Sequence, residues 1–182
     1  MRICIYEDSQ AAWLEPIALT RPAFALLCGT ERLFERQCRQ FGGADVGFWM
    51  RPALVDLWKL DRPGDAVNDA DWLRERPTVW LNGRWLPAPD VRIDAAAPHV
   101  GAMNGQIAYA VLPAGAAPAF TELDAWLGAW KERLPQRAVS GAMLNYLWDL
   151  VDHNGTALIQ DFRFTHSTFL QPIATYNRGT HK

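Results

Sequence analysis

The sequence predicts an α/β fold, a Rossmann-like layered mixed sheet flanked by helices. Short β-branched runs recur along the chain, segments of helical apolar spacing or loop composition separate them, and the composition is that of one globular domain. The chain has 182 residues, 49% hydrophobic and 21% charged, enough for a single core that buries about two-thirds of the unfolded surface.

The elements follow in order. Residues 2–7, with Ile3 and Ile5, read as the opening strand. A loop runs from Asp8 to Thr20. Pro22 then opens a helical segment through Gln40 on Phe24, Leu27, Leu33 and Phe34, broken near Cys28-Gly29-Thr30, where Thr30 would serve as a fresh N-cap. Gly42-Gly43 ends it. Val46–Met50 reads as a second strand and Ala53–Leu60, after Pro52, as a short helix. Asp61–Asp65 is a turn. Thr78–Leu81 is the most strand-like run of the middle, closed by Asn82-Gly83, with Arg84–Leu86 continuing it as a hairpin arm. Asn104-Gly105 is a second turn signal before the strand Gln106–Leu112. An Ala/Gly/Pro linker from Pro113 to Pro118 leads to a helix from Thr121 that carries Leu123, Trp126, Leu127 and Trp130 and stops at Pro135. Ala142–Asp152 reads as a last helix, with Asn154-Gly155 as its stop. After Gln160 the pattern fades: Phe162, Phe164, Phe169, Ile173 and Tyr176 have no domain of their own to fill, and Asn177–Lys182 is polar. The expected organisation is an α/β domain over 1–160 and a tail over 161–182 that leads into further protein.

Charge excludes some functions. A net charge of −2 and a pI of about 6.1 leave no electrostatic footprint for nucleic acid or an anionic membrane. The densest basic group, Arg32, Arg36 and Arg39, is interleaved with Glu31 and Glu35 and reads as a solvated helix face. No stretch approaches the roughly 18 apolar residues of a membrane span, and no signal peptide is visible, so a cytoplasmic protein is expected. Cys4, Cys28 and Cys38 are widely spaced and read as reduced thiols. Of the nine Trp, those at 80, 85, 126, 130 and 148 read as core in preference to ligand stacking.

The usual chemical signatures are missing. His99, His153, His166 and His181 form no pair at ligand spacing, there is no C-x-x-C, and Ser9, Ser140 and Ser167 lie in no nucleophile elbow. Neither a P-loop nor a G-x-G-x-x-G fingerprint occurs. What remains is the span Leu14–Gly29, directly after the first strand, where open α/β sheets bind ligands. A guanidinium at Arg21, fixed by Pro22 at a helix start, is suited to clamp a phosphate bidentately. Spacing leaves open the alternative that Arg21 pairs with Glu15 or Asp8 and that Pro22 only starts a helix.

These residues carry a resemblance. Glu7-Asp8-Ser9, the block Leu14-Glu-Pro-Ile-Ala-Leu-Thr-Arg-Pro-Ala-Phe24 with Leu27-Cys-Gly29, Leu81-Asn-Gly-Arg-Trp-Leu-Pro87 and Trp148-Asp-Leu-Val-Asp-His-Asn-Gly155 are similar to the N-terminal part of the GlmU-like sugar nucleotidyltransferases, relatives of the bifunctional N-acetylglucosamine-1-phosphate uridyltransferase. The resemblance implies in-line attack of a sugar 1-phosphate on the α-phosphate of a nucleoside triphosphate, UTP favoured and a hexosamine 1-phosphate as acceptor, with pyrophosphate leaving and Mg²⁺ as cofactor. It also implies nucleotide binding by Asp8, Ser9, Leu14, Arg21, Asn82 and Gly83, with Arg21 as the catalytic residue, and sugar binding near Asn104 and Gly105. Family members usually continue into a left-handed parallel β-helix, which would account for the tail; a homo-oligomer is left open. Better-characterised members carry a Gly-rich loop after the first strand and an acid after the central one. Here those places hold Ser9–Trp13 and Arg84, so a metal would draw on Asp149 and Asn154. The alternative implied by that departure is a non-catalytic sugar-nucleotide-binding or scaffold domain that has lost the metal site.

Overall fold

The computed structural model describes residues 1–42, 45–115 and 117–169. Ile173, Tyr176 and the Asn177–Lys182 ending lie outside them, as does Gly43 of the expected stop.

The opening strand is β1 (Arg2–Tyr6), followed by a 3₁₀ turn over Ser9–Leu14, a second over Ala23–Ala25, and a tiny hairpin of β2 (Leu27–Cys28) and β3 (Glu31–Arg32). Then come α1 (Leu33–Phe41), β4 (Asp45–Trp49), α2 (Pro52–Asp61), β5 (Ala66–Val67), α3 (Ala70–Glu75), β6 (Thr78–Asn82), β7 (Trp85–Pro87), β8 (His99–Met103) and β9 (Gln106–Leu112). The chain continues as α4 (Leu123–Arg133), β10 (Gln136–Ala138), β11 (Gly141–Met143) and α5 (Leu147–Phe169). A seven-stranded sheet runs in the order β10-β8-β9-β6-β1-β4-β5. It is mixed, as expected: β6, β1, β4 and β5 are parallel neighbours, and β9 inserts antiparallel between β6 and β8.

Period-two alternation builds the two sides. Ile3 and Ile5 of β1, with Phe48 of β4 and Val79 and Leu81 of β6, pack with Phe24 of the second 3₁₀ turn, Phe34 of α1, and Leu54 and Trp58 of α2. Cys4, Tyr6 and Trp80 face the other way, against Leu73 of α3 and Leu123 and Leu127 of α4. A third cluster joins Leu14, Ala18, Leu26 and Leu33 to Leu86, Leu144 and Ala157 under α5. The core reading of tryptophan holds for Trp80 and Trp85, which are buried; Trp148 is 60% exposed.

Several expectations are corrected. Pro22 precedes one 3₁₀ turn, not a helix, and the chain next reverses at Gly29 (φ +79), where a Cβ would meet Asp161 Oδ2 at 2.4 Å. The helix therefore begins only at Leu33, with Arg32 as N-cap and the Glu35 carboxylate accepting the Arg32 amide at 2.8 Å. Arg84–Leu86 makes no hairpin with β6. Gly83 N donates to Tyr6 O at 2.8 Å, Arg84 turns into the interior, and β7 pairs with β11 instead. Residues 141–143 are accordingly a strand, and α5 runs through the expected Asn154-Gly155 stop, because Asn154 Oδ1 accepts the Gly29 amide at 2.8 Å and so favours continuation. Asp161, in the expected tail, is 3% exposed and pairs with Arg36 at 2.7 Å. Arg36 is thus not on a solvated face: its partner arrives from α5.

Candidate functional site

β1 and β6 are adjacent and parallel, and both end at one edge of the sheet with Tyr6 registered against Asn82. A cleft of about 220 Å³ opens there. Asp8 and Ser9 enter it from the end of β1, Asn82 from the end of β6, Gly105 and Gln106 from the β8–β9 turn, and Asp124 from α4. Asn104 (φ +49) and Gly105 (φ +81) make that turn, as their sequence predicts. Among the sequence-predicted site residues, Asp8, Ser9, Asn82 and Gly105 are brought together.

The cleft wall is a hydrogen-bonded network around Arg84, whose side chain is 0% exposed. Its Nε donates to Asp8 Oδ1 at 2.7 Å and its Nη2 to Asp8 Oδ2 at 2.6 Å and to Gln10 at 2.7 Å. Nη1 donates to Leu144 O at 3.1 Å and to Asn145 Oδ1 at 2.8 Å. Asn82 Nδ2 donates to the same Asp8 carboxylate at 2.8 Å and to Ile107 O at 3.1 Å. From α1 the buried Gln37 holds the β6–β7 corner by donating to Asn82 O at 2.8 Å and Trp85 O at 2.7 Å. Ser9 N donates to Asp124 Oδ2 at 3.1 Å, tying α4 to the first loop. Burial, followed by the Asp8 carboxylate, pushes the Tyr6 phenol well above its ordinary value. Tyr6 is thus a neutral donor, directed to Ile107 O at 3.4 Å, and not a base.

The remaining predicted residues lie elsewhere. Arg21 is exposed and lines a separate cavity of about 370 Å³ with Thr20, Leu54 and Asp61. Among the described residues its guanidinium has no ion pair, while Asp8 is taken by Arg84. The loop that carries Arg21 is tethered by buried Glu7, which accepts the Ala23 amide at 2.8 Å and Arg51 Nε at 3.2 Å. Arg51 in turn donates to Ala18 O and Arg21 O. Leu14 is 0% exposed in the third core cluster. At Gly83 a Cβ would meet Phe24 Cβ at 2.8 Å and Tyr6 O at 2.9 Å, so glycine is there for close packing. Asp149 Oδ2 accepts the Asn145 and Tyr146 amides at 2.7 and 2.9 Å, opening α5. Asn154 binds Gly29 N.

A Mg²⁺ site asks for one or two carboxylates with oxygens free to coordinate. Both Asp8 oxygens face a guanidinium, Asp149 accepts two amides through Oδ2 and does not line the cleft, and Asp124 accepts Ser9 N. Among the described residues no group of three or more His, Cys, Asp or Glu is placed to hold a metal ion. The residues present do not fit Mg²⁺. Sequence reading expected the Asp8–Trp13 backbone around a nucleotide, which takes in Gln10, but missed Gln106 and Asp124 as cleft residues and Arg84 as the partner of Asp8. The one available signal was the acidic end of β1 facing an Asn-Gly-Arg corner; Asp124 has none, because it arrives with α4.

An open mixed α/β sheet with a polar cleft at its parallel strand ends is the architecture of nucleotide-handling α/β proteins. The sugar nucleotidyl transferase family model matches residues 3–168, and the chain belongs to that family, whose function is nucleotidyl transfer to a sugar phosphate. No curated protein matches. Among solved structures, a Bacillus anthracis protein assigned as a glucose-1-phosphate thymidylyltransferase, solved with a sucrose, aligns over 87% of this chain and 95% of its own at 14% identity and a TM-score of 0.49. The CTP:phosphocholine cytidylyltransferase of Streptococcus pneumoniae aligns over 92% and 98% at 10% identity and a TM-score of 0.41. No helix among the described residues is long and apolar enough to cross a membrane.

Proposed function

We propose that the chain holds a sugar nucleotide in the cleft at the ends of β1 and β6, with uridine as base and an N-acetylhexosamine as sugar. The observation that carries this reading is the convergence of Asp8, Ser9, Asn82 and Gly105 on one cavity at the carboxyl edge of parallel strands. The Ser9 hydroxyl and the Gln10 side-chain amide supply neutral groups suited to a base or sugar hydroxyls, while Asn82, spent on Asp8, Ile107 O and the Arg84 amide, fixes the floor.

The family reaction needs no activated nucleophile, because the attacking phosphate is already an anion. It needs position and positive charge at the transferred phosphoryl group. Here the charged cleft residues are Asp8 and Asp124; of the adjoining cations, Arg84 is buried and committed to Asp8, and Lys131 at the rim donates to Gly105 O. That pairing favours the second reading, a domain that binds sugar nucleotide without metal-assisted transfer, over active transfer from UTP to a hexosamine 1-phosphate.

A melting-shift screen with UDP-N-acetylglucosamine and the four nucleoside triphosphates, paired with a pyrophosphate-release assay on UTP plus hexosamine 1-phosphate, tests both. Stabilisation by UDP-N-acetylglucosamine without pyrophosphate is the expected result. Pyrophosphate release that requires both substrates restores the transferase reading, and no shift with any nucleotide overturns both.

A further inference from the structure

A second cavity, of about 510 Å³, lies between α1, the Pro89–Arg92 segment and α5 and shares no lining residue with the cleft. Arg36, Arg39, Arg92 and Arg163 line it, and among the described residues no acidic side chain does. Arg36 is 3% exposed, yet it donates only through Nη2, to Cys28 O at 3.0 Å and Asp161 Oδ2 at 2.7 Å. Its Nε is buried with no hydrogen-bond partner among the described residues, a state that buried polar groups seldom keep unless something else completes them. Arg39 uses Nε and Nη2 on Glu31 and Asp161, which leaves Nη1 for another acceptor.

The charges can be assigned. Asp161 and Glu31 compensate Arg36 and Arg39. Arg92 donates only to the carbonyls of Pro89 and Val91, both at 2.8 Å, and Arg163 has no hydrogen bond or ion pair among the described residues. Arg92 and Arg163 are therefore uncompensated cations facing one cavity. A phosphate monoester carries about −1.5 to −2 charge at neutral pH and presents several acceptor oxygens, which matches that excess. The rest of the wall is partly apolar: Pro89 and Phe164 line it, and the Arg39 guanidinium lies 4.2 Å from the Phe164 ring centroid. The space holds more than a bare phosphate.

We propose that this cavity is a second binding site, one that takes the phosphomonoester of a small polar molecule through Arg92 and Arg163, with Arg39 and Arg36 behind them. The site is independent of what the cleft binds.

The test is calorimetric titration of the full chain with glucose 6-phosphate, inorganic phosphate and unphosphorylated glucose. Saturable one-to-one binding of glucose 6-phosphate, weaker binding of phosphate and none of glucose are expected. The double variant Arg92→Gln/Arg163→Gln, at exposed positions outside the core, should keep the parent melting temperature and bind glucose 6-phosphate at least tenfold more weakly. Gln106→Ala, at the cleft, should leave that affinity unchanged. Three results overturn the proposal: no saturable binding of either phosphate, equal binding by parent and double variant, or loss of binding in Gln106→Ala alone, which puts the ligand in the cleft.

Discussion

Arg84 and Asp8 meet as a bidentate ion pair, Nε to Oδ1 at 2.7 Å and Nη2 to Oδ2 at 2.6 Å, with the guanidinium wholly buried. The pair links the end of β1 to the corner after β6, and Gln10, Gln106, Leu144 and Asn145 complete the shell of Arg84 acceptors. A cation fixed in this way gives the cleft wall its shape and withdraws the Asp8 oxygens from any competing cation.

Arg84→Met should lower the unfolding free energy by about 3–5 kcal/mol, because it strands a carboxylate and several acceptors. Adding Asp8→Asn should recover part of the loss. Urea denaturation of the parent, single and double variants checks this, and a parent-like midpoint for Arg84→Met would show that the pair contributes nothing.

Metal removal should be without effect. The melting shift given by UDP-N-acetylglucosamine is expected to be the same in EDTA and in excess Mg²⁺. A shift that appears only with Mg²⁺ would mean that Asp8 leaves Arg84 to coordinate the ion.

Arg21→Ala should change stability by no more than about 0.5 kcal/mol, since the side chain removed is exposed and has no ion pair among the described residues. The nucleotide-induced shift should also persist, because Arg21 lines a different cavity from the cleft. Loss of the shift with an unchanged unliganded melting point would reinstate Arg21 as a phosphate clamp.

Asp161→Ala should be severe, about 3–5 kcal/mol, since it leaves Arg36 buried without its counter-charge. Differential scanning calorimetry of the variant reads it directly; Asp161→Asn should be milder, because Thr30 and the Arg36 guanidinium keep an acceptor.

Burial pushes the Cys38 thiol up to about 11 and raises Cys4 and Cys28 as well. Unfolded thiols lose their protons near pH 8.5 while the folded ones keep theirs, so the unfolded state binds fewer protons above that pH and stability falls as pH rises. Iodoacetamide, which needs thiolate, should label none of the three appreciably at pH 8 in the native protein and all of them in denaturant. Rapid native labelling of Cys4 or Cys28 would contradict their burial, and rapid labelling of the half-buried Cys38 would contradict its raised pKa.

The sheet centre was legible because its signal is local. Ile3 and Ile5 alternate with Cys4 and Tyr6, and the Asn104-Gly105 turn needs the positive φ those residues tolerate. What failed was set at long range. The β8 strand carries His99 and Gly101, neither a strand marker: His99 is satisfied by Ala97 O and Tyr109 Oη, and Gly101 is needed because a Cβ would sit 2.1 Å from the Tyr109 ring. Asn154-Gly155 read as a stop only because its distant partner, Gly29, was invisible. The cleft was half legible: strand ends point to Asp8 and Asn82, whereas the direction of Arg21 depends on how Glu7 and Arg51 tether its loop.

The contact between Arg36 and Asp161 spans a separation of 125 residues. During synthesis the amino-terminal hairpin and first helix would emerge with a sequestered cation and no anion to meet it, until the final helix leaves the ribosome. An early fragment of this protein is therefore a poor candidate for autonomous folding, and a nonsense codon before position 161 should yield a product consigned to proteolysis.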